Sequence, residues 1–380
     1  VPPIDRPKGF KVENCARIRR ETGMLGIAGG RINTPQLAEE ILEQNKADMV
    51  VMGRAQLADA NFCVKAKEGR LQDIVYCIGC DQGCYDGFTD PNVPFITCMR
   101  NPYLGKEAQD VLVPAQKPKR VLIAGGGIAG LEAACILKQR GHQPVVYEAG
   151  GELGGQFVTA GKAPRKTEMK EAALSYGEKA KRLGIPIHLN TPVDASLITE
   201  GSWDEVILAI GAEPIHLSIP GADREHVYNS HDILNGKATA SGHVAVIGGG
   251  LVGVETAEYL SEQGTAVTVI EMLDGVAKDL GALRKICVME SLYTHHIETI
   301  VSTSVKAVVE NGVLVEKEGV EQVIPCDSVV MAVGARARNH EALTDACEKK
   351  QLPYHIIGDA KKARRALQAI AEAHETARSL

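Results

Sequence analysis

Residues 119–130 read Lys-Arg-Val-Leu-Ile-Ala-Gly-Gly-Gly-Ile-Ala-Gly, and residues 243–253 read His-Val-Ala-Val-Ile-Gly-Gly-Gly-Leu-Val-Gly. Both stretches are an apolar strand running into a glycine-rich turn, repeated at an offset of 123 residues from Gly125 to Gly248. The same offset relates three further features: Gly141 to Gly264, Glu148 to Glu271, and 209–211 to 332–334. Because all of them share one register, we infer two copies of one βαβ-based domain.

Each copy carries the residue types that a dinucleotide-binding turn requires. In the first copy Gly125 permits the tight turn, Gly127 lets the backbone approach a pyrophosphate, and Gly130 lets helix and strand pack closely. Glu148 and Glu271 end the second strand of each copy and are placed to accept hydrogen bonds from ribose hydroxyls. A single glycine-rich match is also typical of an ordinary strand–turn–helix corner, but two complete copies favour nucleotide binding.

The acid of the second copy bears on the choice of nicotinamide cofactor. A carboxylate at Glu271 repels a 2′-phosphate, and no Arg or Lys follows it until Lys278. The sequence therefore favours NADH over NADPH, without excluding NADPH.

Composition narrows the class of protein. The 380 residues are 44% hydrophobic and 24% charged, with a net charge of −6, so the chain can form several cores. That charge indicates neither a nucleic-acid partner nor a membrane surface, and no apolar run is long enough for a membrane span. The lack of an export signal favours the cytoplasm, on the condition that Val1 is near the true start. The chain lacks an initiator Met, so upstream sequence is expected.

A shorter α/β stretch precedes the first copy. Residues 25–28 predict a buried strand and residues 48–52 a second strand. Thr34 predicts a helix N-cap with Pro35 at the first helical position, and 37–42 supply an apolar stripe through Leu37, Ala38, Ile41 and Leu42. A Gly-Arg pair follows each strand, as Gly30-Arg31 and Gly53-Arg54.

Four of the ten cysteines lie close together, at Cys77, Cys80, Cys84 and Cys98. The other six are scattered singly, which is typical of a reduced protein. Four thiolates from one loop can hold a tetrahedral metal or an iron–sulfur cluster. The spacing differs from that of paired zinc knuckles and favours a cluster, with a structural zinc as the alternative.

The two copies together resemble the pyridine nucleotide–flavin reductase family. In that family the first copy holds FAD, the second is inserted into it and holds NAD(P)H, and the FAD domain is completed at the C-terminus. The stretches 209–212 and 332–334 resemble its two crossover strands, and 357–360 resembles its final FAD motif. A helix N-cap is the alternative role for Asp359.

The resemblance implies cofactor contacts, position by position. For FAD they are Gly125, Gly127, Ala129, Gly130, Glu148, Gly155, Gln156, Val193, Ala209, Gly211, Gly358 and Asp359. For NAD they are Gly248, Gly250, Leu251, Val252, Gly253, Glu271 and Gly334.

The N-terminal segment resembles the last two strands of an old-yellow-enzyme-type (β/α)₈ barrel. There the loops after strands seven and eight bind an FMN phosphate, which implies FMN contacts from Gly30, Arg31, Gly53 and Arg54. A solvated surface position is the alternative for either arginine. The stretch 77–84, Cys-Ile-Gly-Cys-Asp-Gln-Gly-Cys, resembles the branch that contains 2,4-dienoyl-CoA reductase and enoate reductase. There the four cysteines hold a [4Fe–4S] cluster.

The expected fold class is therefore α/β, in four parts. Residues 1–75 end an incomplete barrel, and 76–113 form the cluster loop. The FAD domain covers 114–212 and 336–380, with the NAD(P)H domain inserted at 213–335.

The resemblance implies a flow of electrons from NADH through FAD and the cluster to FMN, and reduction of an activated C=C bond in an enoate, a dienoyl-CoA or a steroid enone. The family's catalytic Tyr and His lie on earlier barrel strands, and the first histidine here is His142. No catalytic residue is therefore assigned, and the chain is expected to be a fragment or a reductase module. Three alternatives stay open: amine dehydrogenation of the trimethylamine dehydrogenase type, an isolated NADH:acceptor reductase, and nucleotide binding without catalysis. The expected partner is a small-molecule substrate, and the sequence leaves open whether the protein forms a homo-oligomer.

Overall fold

The computed structural model describes residues 1–109 and 111–380. Its helices are α1 Val12–Thr22, α2 Pro35–Glu43, α3 Gly53–Ala58, α4 Phe62–Lys67, α5 Tyr85–Thr89, α6 Ile128–Gln139, α7 Gln156–Ala160, α8 Thr167–Arg182, α9 Ala195–Glu200, α10 Ser230–Leu234, α11 Leu251–Glu262, α12 Ala282–Thr294, α13 Glu341–Lys350 and α14 Ala366–Ser379. Its strands are β1 Ile27–Ala28, β2 Met49–Val50, β3 Arg120–Ala124, β4 Gln143–Tyr147, β5 Ile187–His188, β6 Glu205–Leu208, β7 Ala212–Pro214, β8 Val227–Asn229, β9 His243–Ile247, β10 Ala266–Ile270, β11 Glu298–Ile300, β12 Ser304–Val309, β13 Gly312–Lys317, β14 Val320–Pro325, β15 Ser328–Met331, β16 Ala335–Ala337 and β17 Tyr354–Ile356.

The chain forms two compact units. The first comprises Val1–Phe157, Glu171–Gly211 and Asn339–Leu380, and the second comprises Val158–Lys170 and Ala212–Arg338. The finer division into four parts stays a prediction. Among the described residues, no helix combines the length and the apolar character needed to cross a membrane.

The internal repeat is present in three dimensions. Strand β3, helix α6 and strand β4 of the first copy correspond to β9, α11 and β10 of the second, each shifted by the same 123 residues at both ends. The prediction of two βαβ copies is confirmed.

A parallel five-stranded sheet is the centre of the first unit, in the order β17-β6-β3-β4-β5. The apolar strands β3 and β6 lie in its middle, helix α6 packs on it, and α14 packs against α6. Such a continuous apolar run is typical of a strand covered on both faces. Residues 209–211 follow β6 and precede β7, so they lie at the carboxyl end of the sheet, not within a strand as predicted.

The second unit contains three sheets. Its parallel sheet has the order β11-β10-β9-β15-β8. An antiparallel sheet of β12, β13 and β14 packs beside it, and β7 pairs antiparallel with β16. Residues 332–334 follow β15 in the same way that 209–211 follow β6.

The N-terminal segment differs from its prediction in burial. Strands β1 and β2 are only two residues each and pair in parallel, and helix α2 is capped as expected, since the Thr34 side chain accepts a hydrogen bond from the Leu37 N–H. Leu25 is 85% exposed and Ile27 is also exposed, so the prediction of a buried strand at 25–28 holds only for Ala28. The physical reason is that β1 and β2 pair only with each other in the described residues, so side chains on the uncovered side meet no neighbour.

Candidate cofactor sites

The first glycine-rich turn is too tight for side chains at two positions. Gly125 has φ +112°, and a Cβ added there would lie 2.3 Å from the Ala209 carbonyl oxygen. A Cβ on Gly130 would lie 2.0 Å from the Gly125 carbonyl oxygen. A Cβ on Gly127, in contrast, would meet no atom within 4 Å. The turn is therefore closed against the sheet and open above Gly127, at the N-terminus of α6, which is where a pyrophosphate would need space.

Glu148 stabilises the edge of this turn through hydrogen bonds. Its carboxylate accepts hydrogen bonds from the Gly126 N–H at 2.7 Å and from the Gly150 N–H at 2.6 Å. Each carboxylate oxygen has a second lone pair, so the same group can also accept from a ribose. The residues present therefore fit the FAD that the sequence implies.

The other predicted FAD positions surround the same end of the sheet, with one exception. Residues 127 and 154 form an isolated parallel bridge, and a Cβ on Gly211 would lie 4.0 Å from the Gln156 side-chain nitrogen. A Cβ on Gly358 would lie 3.0 Å from Ala129. Val193, by comparison, is a half-buried contributor to the core around Trp203.

Asp359 lies in a short 3-10 turn, Gly358–Ala360, and helix α14 begins at Ala366 with Arg365 as its N-cap. The helix N-cap alternative for Asp359 is therefore wrong. Its carboxylate accepts a hydrogen bond from the Arg364 N–H at 3.1 Å. Burial raises the pKa of this carboxyl, and Arg364 opposes that shift.

The second glycine-rich turn is closed against its own sheet in the same way as the first. A Cβ on Gly253 would lie 1.8 Å from the Gly248 carbonyl oxygen. Glu271 accepts hydrogen bonds from the Gly249 N–H at 2.6 Å and the Leu273 N–H at 2.7 Å. This turn therefore fits the NAD that the sequence implies.

One side chain distinguishes the second turn from the first. The Asp279 carboxylate accepts a hydrogen bond from the Leu251 N–H, at 3.1 and 3.0 Å from its two oxygens. This carboxylate occupies the N-terminus of α11, where the helix dipole favours negative charge, so a pyrophosphate bound there would have to displace it. The residue in the same register of the first copy is Gln156, which is neutral. Sequence reasoning missed Asp279, although comparing the two copies position by position would have found it.

The second unit also contains buried charges that the sequence did not reveal. Lys166 is only 2% exposed and pairs with Glu255, which lies five positions into α11. Arg284 contacts the same carboxylate at 3.5 Å, and Arg165 pairs with Glu258 at 2.8 Å. The sequence signal that could have revealed these ion pairs is the presence of Glu255 and Glu258 within the otherwise apolar face of α11.

The four residues predicted to contact FMN lie around one pocket of about 190 Å³. Arg31 is buried and donates to the backbone oxygens of Ile4 and Arg6. Arg54 donates to the Pro2 oxygen at 2.6 Å and to Asp81. Neither arginine is a solvated surface residue, so that alternative is wrong. Guanidinium groups are the usual donors to a phosphate, and the pocket fits the phosphate end of FMN. The pocket is lined by Val1, Pro2, Gly30, Arg31, Ile32, Asn33, Val51, Met52, Gly53, Arg54, Ala55, Cys77 and Gly79.

The cysteine loop is bonded directly to this pocket. The Asn33 side chain donates to the Cys77 oxygen at 2.6 Å, and the Ile4 N–H donates to the Gly79 oxygen at 2.7 Å. The third connection is the ion pair of Arg54 with the buried Asp81. Burial raises the pKa of Asp81 to about 6, and Arg54 opposes that shift. Sequence reasoning missed Asp81, because nothing in the sequence pairs it with a residue 27 positions away.

The four thiols of the loop are close enough to affect one another's ionisation. Burial raises the pKa of Cys80, and the charges of Cys98, Cys77 and Cys84 raise it further. No disulfide joins any two cysteines of the described residues. In the described residues, no group of three or more His, Cys, Asp or Glu side chains is arranged to hold a single metal ion. A set of four sulfur donors fits a cluster chemically, and the ligand assignment stays a prediction.

Comparison with known proteins places these sites in a family. The model of the pyridine nucleotide-disulphide oxidoreductase family matches residues 119–355, more than half of the chain. The chain belongs to this family. The model of the NADH:flavin oxidoreductase / NADH oxidase family matches residues 6–73. Together the two matches confirm the α/β class, the old-yellow-enzyme-type resemblance, and the flavin and nicotinamide cofactors FAD, FMN and NADH.

Members with assigned activities match almost the whole chain. Bilirubin reductase of Mediterraneibacter gnavus is 36% identical over 93% of this chain and 55% of its own length. Cinnamate reductase of Clostridium sporogenes is 32% identical over 100% of this chain and 56% of its own. The structure of 2-naphthoyl-CoA reductase in complex with 2-naphthoyl-CoA superposes with a TM-score of 0.93 at 28% identity, over 100% of this chain and 57% of that one. The chain thus spans a little over half the length of these relatives. Amine dehydrogenases are weaker relatives.

Proposed function

We propose that this chain is the electron-transfer part of an NADH-dependent flavoprotein oxidoreductase that reduces a C=C bond conjugated to a carboxyl or thioester carbonyl. The observation that carries the proposal is the direct bonding of the cysteine loop to the two-arginine pocket through Asn33, Ile4 and Asp81. Such bonding fixes two electron-carrying groups side by side. The substrate class is supported by the names of the relatives, cinnamate reductase and 2-naphthoyl-CoA reductase.

Each group of residues has a distinct binding role in this proposal. The turn at 125–130 and Glu148 hold the pyrophosphate and ribose of FAD, and the turn at 248–253 with Glu271 does the same for NADH. Arg31 and Arg54 hold the phosphate of FMN, and Cys77, Cys80, Cys84 and Cys98 hold a [4Fe–4S] cluster. When bound, these groups supply hydride acceptance, one-electron transfer and hydride delivery, while the chain supplies position and electrostatics.

Cofactor content tests the proposal. The purified chain is expected to carry FAD and about four iron and four acid-labile sulfide atoms, with little zinc. NADH added without oxygen should bleach the flavin absorbance. Stoichiometric zinc without sulfide would contradict the cluster, and a flavin that NADH cannot reduce would favour amine dehydrogenation, in which electrons leave toward a carrier.

A further inference from the structure

Asp279 lies at the N-terminus of helix α11, the part of the second glycine-rich turn that attracts anions. Its two carboxylate oxygens are 3.1 and 3.0 Å from the Leu251 nitrogen, at the first residue of this 12-residue helix. A Cβ added to Gly250 would lie 3.5 Å from one of the same oxygens. An anion that belongs to the protein is therefore already present where the turn is suited to an anionic ligand.

The first glycine-rich turn leaves the same place open. A Cβ on Gly127, which corresponds to Gly250, would have no atom within 4 Å. The backbone is bonded alike in the two copies. The residue two positions before Gln156 donates to the middle glycine of its turn at 2.8 Å, and the residue two positions before Asp279 does so at 2.7 Å. The two copies therefore differ here in one side chain, because Asp279 reaches Gly250 whereas Gln156 does not reach Gly127.

A pyrophosphate and the Asp279 carboxylate would compete for this place. Both are anions, both are stabilised by the N–H groups and the dipole of a helix N-terminus, and like charges repel at short distance. Asp279 is exposed, so its carboxylate can be hydrated when it leaves the helix. The neighbouring Lys278 pairs with another carboxylate, that of Asp274. A dinucleotide that binds at this turn therefore has to displace an anion that the first turn lacks.

We propose that Asp279 is a competing anion that lowers the affinity of the second turn for nicotinamide dinucleotides. It caps α11 in the nucleotide-free protein and gives way to the pyrophosphate when the cofactor binds. This inference rests on the NADH site of the proposed function. Because NADH and NADPH carry the same pyrophosphate, Asp279 weakens the binding of both equally, whereas Glu271 is expected to separate them. The oxidised cofactor also carries this group, so the same competition favours its release after hydride transfer.

The test is isothermal titration calorimetry of NAD⁺ and NADP⁺ into the complete 380-residue chain with its bound FAD. The oxidised cofactors are used because they do not reduce the flavin. Asp279→Asn keeps an oxygen for the Leu251 N–H but removes the charge, so both Kd values should fall by the same factor, on the order of tenfold or about 1.4 kcal/mol. Asp223→Asn removes the same charge from an exposed position of the same unit and should leave both Kd values unchanged. A Kd that Asp279→Asn leaves unchanged or raises would overturn the inference.

Thermal unfolding separates competition from a purely structural cap. Without nucleotide, Asp279→Asn should unfold at a lower temperature than the unaltered chain, because a neutral amide interacts less favourably with the helix dipole. With saturating NAD⁺ this deficit should vanish or reverse, because the carboxylate no longer caps the helix and the variant binds the ligand more tightly. An equal deficit with and without NAD⁺ would show that Asp279 is only a cap. An unaltered chain that binds neither NAD⁺ nor NADP⁺ would instead refute the second nucleotide site of the proposed function.

Discussion

Glu148 and Glu271 each shape a glycine-rich turn in which we propose that a dinucleotide binds. Each carboxylate accepts two backbone N–H groups and so fixes the shape of its own glycine-rich turn. We predict that the negative charge that stabilises the turn also faces the ribose of a bound nucleotide. The preference for NADH over NADPH is then expected to depend on the same residue that shapes the turn.

Glu271→Gln should reduce the preference for NADH. The amide keeps one acceptor oxygen for the backbone and removes the charge that repels a 2′-phosphate, so the ratio of kcat/KM for the two cofactors should narrow on the order of tenfold, or about 1.4 kcal/mol. The measurement is steady-state reduction of a dye with each cofactor. Glu310→Gln, on the turn between β12 and β13, is the control and should not change the ratio. Faster reduction by NADPH in the unaltered chain would refute this role of Glu271.

His142 predicts a pH dependence of stability. Its ring is buried, and its Nδ1 accepts a hydrogen bond from the Lys119 N–H at 3.1 Å, so the ring must be neutral. Burial lowers the pKa of His142 below its usual 6.5, and the charges of Arg140 and Lys119 lower it further. The unfolded chain therefore binds this proton more readily, and the free energy of unfolding should fall as pH drops below 6.5.

Urea unfolding of the unaltered chain and of His142→Gln between pH 7.5 and 5.5 (roughly the range in which an ordinary histidine titrates) measures this effect. The variant should be less stable at pH 7.5 but should lose less stability on acidification. Parallel losses in both proteins would show that His142 does not contribute to the pH dependence.

At the scale of elements, the cysteine loop is joined to the residues that follow strands β1 and β2 by a hydrogen bond from Asn33 and an ion pair with Arg54. The link is the buried Asp81, which pairs with Arg54 at the start of α3. Asp81 has φ +59°, a conformation that Asn also tolerates. Asp81→Asn therefore removes the charge without straining the backbone.

This substitution should lower the free energy of unfolding by on the order of 3 kcal/mol, because Arg54 keeps a largely buried charge without its partner. Chemical denaturation measures the loss. Asp73→Asn is the matched control, since its pairs with Arg70 and Arg182 are exposed and should contribute less than about 1 kcal/mol. Equal effects of the two substitutions would contradict a structural link through Asp81.

Sequence reasoning succeeded where contacts are local or periodic. The repeat from β3 to β4 and the cap at Thr34 follow from adjacent residues, whose glycine, proline and apolar positions determine the backbone directly. It failed where residues distant in sequence meet, as in Lys166 with Glu255. It also missed the exposure of Leu25, because an apolar run shows that a residue can be buried but not what covers it.

At the scale of the whole molecule, the two halves of the proposed reaction differ in completeness. Both glycine-rich turns are formed within the described residues, where the predicted FMN site is represented by the pocket around Arg31 and Arg54. We propose that both nucleotide sites for hydride transfer from NADH to FAD lie in this chain, whereas reduction of a conjugated C=C bond also needs a proton donor near the α-carbon.

The chain alone should therefore reduce ferricyanide with NADH but not reduce a 2-enoate or a dienoyl thioester. Anaerobic assays that follow NADH oxidation with each acceptor test this. A version extended with the upstream barrel strands of a relative is the positive control and should acquire both bound FMN and enoate reduction. Enoate turnover by the 380-residue chain, free of other protein, would refute the assignment.

Strands β7 and β16 bring the two ends of a long segment of the second unit together. They pair antiparallel with Ala212 opposite Ala337, so the two ends of segment 213–336 lie next to each other in space. The entropic cost of bringing the ends of such a segment together rises by only about 0.6 kcal/mol for each doubling of its length. Segment 213–336 can therefore be exchanged for one with another nucleotide preference, provided that the replacement keeps the partners of Val158–Lys170, which belongs to the same compact unit: Glu255 for Lys166 and Glu258 for Arg165. Engineering of the electron donor can begin at these two strands.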